Sequence, residues 1–237
     1  MGIQGLRDIH THFIYGVDDG AKTAKDMRRM LDDACENGIT ALYATSHRTP
    51  GMSRFPKNDY RARLEEARAY CRERGYDMRL YPGAEILYTP ALRNYLERHA
   101  LQTLGDTDLV LLEFVPDVSF SEIEEAVSMV EERGYGPILA HVERYECLFS
   151  SNIYKLRERH GVRYQINCGT VLKSRGFFKN RHIHRWLREE LIDYVASDMH
   201  DCDSRPNRML EAWEALEKSC ERDYLRRLMG DPGKDVL

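Results

Sequence analysis

Short β-rich runs alternate with helical stretches along almost the whole chain, and this alternation most constrains the fold. Each run ends in polar residues, and a charged stretch with helical periodicity follows it. The runs are predicted as strands at 6–10, 39–45, 77–83, 108–114, 136–141, 162–167 and 192–197. The helical stretches lie at about 22–37, 58–74, 89–99, 119–133, 152–160, 180–190 and 205–229. Seven β/α units in series predict an α/β fold, a distorted (β/α)7 TIM-like barrel, with an open doubly wound sheet as the alternative.

Length and composition narrow the class of protein. The chain has 237 residues, and we expect residues 1–237 to form one domain. The net charge is −4 and basic runs are absent, which argues against a nucleic-acid partner. No apolar run approaches the ~20 residues of a membrane helix, and the N-terminus lacks the apolar core of a signal peptide. A cytoplasmic protein without membrane insertion is therefore expected. The six cysteines are scattered and form no CxxC pair, which indicates reduced thiols.

Metal-type side chains recur where the predicted strands end. Carboxyl ends of parallel strands meet at the mouth of a barrel, where active sites are built. Alternate residues of an extended segment share a face, so His10 and His12 are placed to bind one ion. Glu113 lies inside the apolar run at 108–115, where a carboxylate is costly unless it is paired or metal-bound. The strand-end candidates are His10, His12, His47, Glu85, Glu113, His141, Asp198 and His200.

A second pair of alternate histidines serves as an internal control. His182 and His184 lie in a stretch with helical periodicity, where side chains two residues apart point about 200° apart. We therefore expect this pair to bind no metal ion.

The candidate residues stand in motifs that resemble a known family. "DIHTH…DDGA", "TSHR…GM", "PGAEI", "LLEF", "AHVERY" and "SDMH…RP" are similar to the polymerase-and-histidinol-phosphatase (PHP) superfamily. More closely, they resemble its bacterial capsule and exopolysaccharide tyrosine phosphatases, from residue 8 to about residue 210. The resemblance implies the PHP form of a (β/α)7 barrel and a manganese-dependent phosphatase. It also implies a phosphotyrosine-containing partner, the tail of a bacterial tyrosine kinase that controls polysaccharide export. Val142 stands where the family commonly has proline, which changes no ligand.

The same resemblance implies roles for individual residues. His10, His12, Glu85 and Asp198 would hold a first divalent ion, Glu85 with Glu113 and His141 a second, and Asp19, His47 and His200 a third. Arg144 and Arg205 match arginines that grip phosphate, and with Asp198 and His200 they are the catalytic candidates. Carboxylate and imidazole ligands suit Mn²⁺, Fe²⁺ or Zn²⁺. The resemblance favours Mn²⁺, with Fe, Zn or Mg possible at some sites. Three such ions would leave the site net positive, which suits a phosphate dianion.

Three other functions remain open at this point. A PHP phosphoesterase acting on a small metabolite such as histidinol phosphate would use the same ligands, although the loop at 47–56 favours the polysaccharide group. A non-enzymatic metal-binding module is disfavoured by the intact ligand set and both arginines. A cysteine-dependent phosphatase would need a thiolate separated from an arginine by five intervening residues. Cys220 and Arg226 have that spacing, but no glycine near them could form a phosphate loop. The resemblance permits monomers and larger rings.

Overall fold

Parallel strands alternate with helices through residues 5–51, 55–98, 100–173 and 181–230, the part of the chain that this computed structural model describes. The strands are β1 (Leu6–Thr11), β2 (Ile39–Ala44), β3 (His47–Arg48), β4 (Arg79–Pro82), β5 (Glu85–Leu87), β6 (Leu109–Glu113), β7 (Gly136–Leu139), β8 (Arg163–Asn167) and β9 (Tyr194–Ala196). The helices are α1 (Ala24–Glu36), α2 (Lys57–Arg74), α3 (Leu92–Arg98), α4 (Phe120–Glu131), α5 (Asn152–His160), α6 (Cys168–Lys173), α7 (Arg181–Arg188), α8 (Met209–Leu216) and α9 (Arg222–Met229).

The strands form a curled parallel wall with seven positions. One sheet has the order β1-β2-β4 and the other β3-β5-β6-β7-β8-β9, and all pairings are parallel. β3 continues β2 after a break of two residues, and β5 continues β4 in the same way. The segment after β9 returns to β1, where Asp198 N–H donates to His10 O at 2.9 Å and His12 N–H to Met199 O at 2.9 Å. The predicted TIM-like barrel is confirmed.

Element boundaries differ from the sequence prediction in a few places. The expected helix at 205–229 is two helices, α8 and α9. α8 begins at Met209. Pro206 excludes Arg205 from a helix, because proline disfavours helical geometry in the residue before it. α8 ends at Leu216, whose carbonyl accepts both the Ser219 N–H at 2.9 Å and the Cys220 N–H at 2.8 Å. The short helix α6 was not predicted, because it follows β8 without a polar spacer.

Two apolar clusters form the core. The larger one packs the outer faces of the strands against the helices. The smaller one fills the interior of the barrel and draws on Ile9, Leu111, Ile138 and other residues at or beside the strands. Glu113 lies two residues beyond Leu111 on β6, so it faces the same interior at the carboxyl end of the strand. None of the described helices combines the length and apolar composition that crossing a bilayer requires.

Candidate metal centre

Glu85 stands at the centre of the predicted site. Its side chain is 1% exposed, and four imidazoles surround its two oxygens. Oε2 lies 3.2 Å from His10 Nε2, 3.3 Å from His12 Nε2 and 3.0 Å from His47 Nδ1. Oε1 lies 2.9 Å from His141 Nε2. A carboxylate so far from water requires compensating charge, and the strand ends deliver it.

The other predicted ligands lie around this carboxylate in three overlapping groups. In each group the candidate ligand atoms lie within 4.8 Å of one another. The groups are His10, His12 and Asp198; His12, Asp19, His47 and His200; and His47, Glu85 and Glu113. These groups contain eight of the nine residues that sequence reasoning proposed as ligands. The ninth, His141, lies outside them but contacts Glu85.

His47 lies between two of the groups rather than in one. Its Nδ1 is 3.4 Å from Glu113 Oε2, and its Nε2 is 3.2 Å from Asp19 Oδ1. The resemblance implied that His47 belongs only with the third ion. His141, implied for the second ion, lies beside the same carboxylates, with Nε2 3.5 Å from Glu113 Oε1.

Several buried polar atoms at the centre have no hydrogen-bond partner among the described residues. All of these atoms face the space between the histidines and the carboxylates. They are His10 Nε2, His12 Nε2, His200 Nε2 and Glu85 Oε2. Unpartnered buried nitrogens and oxygens are destabilising unless something else satisfies them. Imidazole nitrogens and carboxylate oxygens are ligands for divalent transition ions, so the donor set fits such ions.

Acceptors behind the histidines set their tautomers. His10 Nδ1 lies 3.1 Å from Gln165 Oε1, and His12 Nδ1 lies 3.0 Å from Asp18 Oδ2. An Nδ1–H that donates backwards leaves the Nε2 lone pair directed at the centre, as in most protein metal sites. Gln165 also accepts the His141 N–H at 2.9 Å, so one amide orients two candidate ligands. Sequence reasoning missed both acceptors: Asp18 stands next to Asp19 in the quoted motif, and Gln165 carries no local signal.

Charge coupling at the centre is strong. Burial alone would lower the pKa of His10, but the charges of Glu85 and Asp198 outweigh it and raise that pKa to about 9. Burial is likewise outweighed at His47, where Glu113 and Glu85 raise the pKa to about 11. Protons on these imidazoles thus balance the carboxylates, and a divalent cation would displace them on binding.

A tight loop places Asp18 and Asp19 beside the histidines. Gly20 N–H donates to Asp18 Oδ1 at 3.0 Å, and the chain then packs directly on His12. A Cβ on Gly20 would lie 2.1 Å from His12 O, so only glycine fits there. Asp19 reaches across from this loop, with Oδ1 3.3 Å from His200 Nε2.

Asp198 divides its two oxygens between different groups. Oδ2 accepts from Arg144 Nη2 at 2.8 Å, Arg205 Nη2 at 2.7 Å and Asn167 Nδ2 at 2.8 Å. Oδ1 faces the imidazoles and lies 3.5 Å from His10 Nε2. The two arginine side chains are about 40% exposed, so they line the open side of the site. Neither is a candidate ligand, and both are held next to one.

Two of the site residues have left-handed backbone conformations. φ is +34° at His141 and +55° at Asp198, and in the described ranges only Glu190 shares this feature among non-glycine residues. Such residues are strained by about 1–3 kcal/mol and cluster at functional sites. The strain is consistent with strand ends that are bent to aim their side chains inward.

Two buried carboxyl groups behind the site were also missed by sequence reasoning. Asp8 is fully buried, and it accepts the Ser197 N–H at 3.0 Å and the Asn207 side-chain amide at 3.1 Å. It thereby ties β1 to the segment that carries Asp198. Glu143 accepts the Asn167 N–H at 2.9 Å, which anchors the turn carrying Arg144. Burial raises the pKa of Glu143, and it raises that of Asp8 to about 6.

The control histidine and the candidate nucleophilic cysteine lie outside the cluster. His182 stacks on Phe149 with ring centroids 5.0 Å apart. Cys220 follows α8, where its N–H donates to Leu216 O, and burial raises the pKa of its thiol. Arg226 pairs with Asp223 at 3.3 Å. A protonated thiol beside a helix end does not form a phosphate-binding loop.

Comparison with known proteins identifies the family of the chain. The sequence model for the family described as "Capsular polysaccharide synthesis, CpsB/CapC" matches residues 6–237. The chain belongs to the CpsB/CapC family. Tyrosine-protein phosphatase CpsB of Streptococcus pneumoniae is 31% identical over 237 residues, which cover 97% of each chain. Tyrosine-protein phosphatase YwqE of Bacillus subtilis (strain 168) is 29% identical over 213 residues, 89% of this chain and 84% of its own.

Solved structures extend the comparison. A match to the crystal structures of YwqE and CpsB, described as unique metal-dependent tyrosine phosphatases, has a TM-score of 0.81 at 28% identity. It covers 92% of this chain and 89% of that one. A histidinol phosphate phosphatase from Lactococcus lactis has a TM-score of 0.55 at 13% identity and covers 93% of each chain, which shows a shared fold alone. The predicted membership of the capsule group of PHP-like proteins is confirmed.

We predict that the purified protein, reconstituted with Mn²⁺, binds two to three divalent ions per chain by elemental mass spectrometry. His12→Ala should lower this content, because His12 Nε2 faces two of the candidate groups. His182→Ala is the matched control and should leave it unchanged. A folded wild-type protein that binds no ion would contradict the assignment.

Asp18→Asn should weaken metal binding about 10–100-fold, because an amide no longer attracts the His12 Nδ1–H as a carboxylate does. The measurement is a competition titration with a chelator of known affinity. Asp77→Asn, at an exposed aspartate in the loop between α2 and β4, is the control. Equal metal affinity in Asp18→Asn and wild type would remove Asp18 from the site.

Proposed function

We propose that this chain is a metal-dependent protein-tyrosine phosphatase that acts in capsular or extracellular polysaccharide synthesis. The cluster of unpartnered imidazole and carboxylate atoms with two arginines on its open side carries the proposal. Relatives that match 97% of the chain bear the name of that activity. The proposal treats residues 1–237 as one catalytic domain.

The proposed cofactor is Mn²⁺ at three positions. The first ion is assigned to His10, His12, Glu85 and Asp198, the second to Glu85, Glu113 and His141, and the third to Asp19, His47 and His200. The unpartnered Nε2 atoms of three of these histidines support the assignment. Such ions lower the pKa of water and neutralise charge on phosphoryl oxygens when they are bound. The same oxygen and nitrogen donors would accept Fe, Zn or Mg at some positions.

Arg144 and Arg205 are assigned to the phosphoryl group. Each uses one terminal nitrogen on Asp198, and a guanidinium has further donors in the same plane. Planar paired donors match phosphate oxygens, and charge-assisted hydrogen bonds of this kind are strong. Asp198 therefore aims both arginines at the place where a phosphate would lie between them and the imidazoles. His200, which lies on the opposite side of Asp198, helps to position that carboxylate and Asp19.

A tyrosine phosphate suits this arrangement chemically. A phenol has a pKa of ~10, well below that of an alkyl alcohol, so it leaves with less help from a general acid. The proposed substrate is a phosphotyrosine-containing protein, namely the tail of a bacterial tyrosine kinase that regulates polysaccharide synthesis. The proposed location is the cytoplasm, where such a tail would be phosphorylated.

Hydrolysis of an aryl phosphate is predicted to stop with a chelator and to return with added Mn²⁺. Cys220→Ser should change the rate little, because burial keeps that thiol protonated. The measurement is the initial rate with and without chelator for the wild type and for Cys220→Ser. A folded but inactive Cys220→Ser protein would establish the cysteine mechanism instead.

Arg144→Ala and Arg205→Ala should each lower kcat/KM on a phosphotyrosyl peptide by ~10²–10³, or about 3–4 kcal/mol. Metal content should hold, because the remaining arginine and Asn167 still contact Asp198 Oδ2. Excess Mn²⁺ should therefore rescue neither variant. Arg93→Ala, an exposed arginine paired with Glu125, is the control.

Near-normal activity in both arginine variants would remove them from the reaction. Wild-type preference for histidinol phosphate over the peptide would keep the site and overturn the proposed substrate.

A further inference from the structure

A cavity lies behind the metal ligands of the β3–β5 ribbon. His47 pairs with Glu85 and Arg48 pairs with Ile86 in this short parallel ribbon. Successive residues of a strand face opposite sides. Arg48 and Ile86 therefore turn away from the metal centre and line a cavity of about 1300 Å³ that extends along α2. We call this cavity the Arg48 pocket.

Arg48 is the unusual residue of the pocket. Its guanidinium carbon lies 3.4 Å from the centroid of the Phe55 ring and 5.7 Å from that of Tyr60. Its Nε is buried and has no hydrogen-bond partner. No ion pair joins Arg48 to a carboxylate of the described ranges. A shielded guanidinium without a counter-charge is costly unless an anion binds it.

The rest of the pocket adds positive charge. Lys57 and Arg61 line it from the first turns of α2, and the Arg61 charge contributes to lowering the pKa of Arg48 after burial. The two carboxylates of the lining, Asp59 and Glu65, already pair with arginines of α2 at 3.6 and 2.6 Å. The pocket therefore has a surplus of cations over aromatic walls, which attracts an anion.

The location of the pocket indicates how an anion would arrive there. Helix α2 follows β3, so Lys57 and Arg61 lie at the end of the barrel where the strands deliver the metal ligands. A cavity this large exceeds what a single inorganic ion fills and suits a chain segment. His47 and Arg48 are consecutive residues, whose Cα atoms are about 3.8 Å apart. The metal centre and the Arg48 pocket therefore lie on the two faces of the same narrow ribbon. An extended chain advances about 3.3–3.6 Å per residue, so a separation of about two to four residues matches two neighbouring faces of this kind.

We propose that the Arg48 pocket binds an acidic side chain of the polypeptide substrate, two to four residues from the phosphotyrosine in the metal site. This inference rests on the proposed function. Arg48 supplies planar donors to the carboxylate, Arg61 and Lys57 supply further charge, and Phe55 holds the Arg48 guanidinium flat. A small phosphorylated metabolite would fill the metal side alone.

The test uses two synthetic phosphotyrosyl peptides that differ only in glutamate or glutamine at positions two to four on both sides of the phosphotyrosine. The wild-type ratio of kcat/KM, acidic over neutral, should be about tenfold, should arise mainly in KM, and should fall as salt is added. Arg48→Gln and Arg61→Gln should each bring the ratio toward one. Arg61 is exposed, so its variant tests the pocket even if Arg48→Gln misfolds. Arg72→Gln, exposed on the same helix outside the lining, is the control and should keep the ratio.

The outcomes separate the two proposals. Equal hydrolysis of both peptides by the wild type would overturn the pocket and leave the phosphatase assignment standing. A wild-type preference for the acidic peptide that persists in both arginine variants would also overturn the proposed role of the pocket, because another surface would then bind the acidic side chain. Hydrolysis of p-nitrophenyl phosphate without hydrolysis of either peptide would overturn the proposed function itself.

Discussion

The burial of Glu85 among four imidazoles is the constraint on which the rest of the structure depends. A carboxylate without water needs opposite charge on every side, and no single element can provide it. His10, His47 and His141 reach it from β1, β3 and the residues after β7, so the charges balance only when the barrel has closed. Folding and the assembly of the site are thus one event. Ions that bind the finished site and not the unfolded chain would add their binding free energy to stability.

The side chains that contact the candidate metal ligands have different roles. Gln165 and Asp18 fix which imidazole nitrogen faces inward, so the ligands are oriented before any ion arrives. Asp198 uses one oxygen for the imidazoles and the other for Arg144 and Arg205. The same carboxylate therefore connects the candidate metal ligands with the two arginines that we propose bind phosphate.

The sequence predicted the seven-fold alternation and the clustering of metal-type side chains at the strand ends. Both depend on local rules, namely apolar periodicity and the common orientation of parallel strands. The sequence did not predict the breaks that separate β2 from β3 and β4 from β5. Those breaks follow from distant partners, since Thr45 N–H donates to Thr11 O and Glu85 N–H to Thr45 O. Gln165 was missed for the same reason, because it acts on a histidine 155 positions away. Spacing along the chain likewise gave no sign that His47 lies between two groups of ligands.

The β3–β5 ribbon connects catalysis with substrate choice through the two-residue period of a strand. His47 and Glu85 face the metal centre, while their neighbours Arg48 and Ile86 face the Arg48 pocket. Hydrogen-bonded pairing holds both faces in one register. A substrate chain bound in the pocket as proposed would therefore also orient its phosphotyrosine toward the candidate metal centre. Binding free energy gained away from the reacting group can then be used to orient it. A small metabolite engages one face only and cannot gain this contribution. In this proposal, selectivity for polypeptides depends on Arg48 and Ile86, the neighbours of His47 and Glu85 on the opposite face of the ribbon, as well as on the candidate ligands.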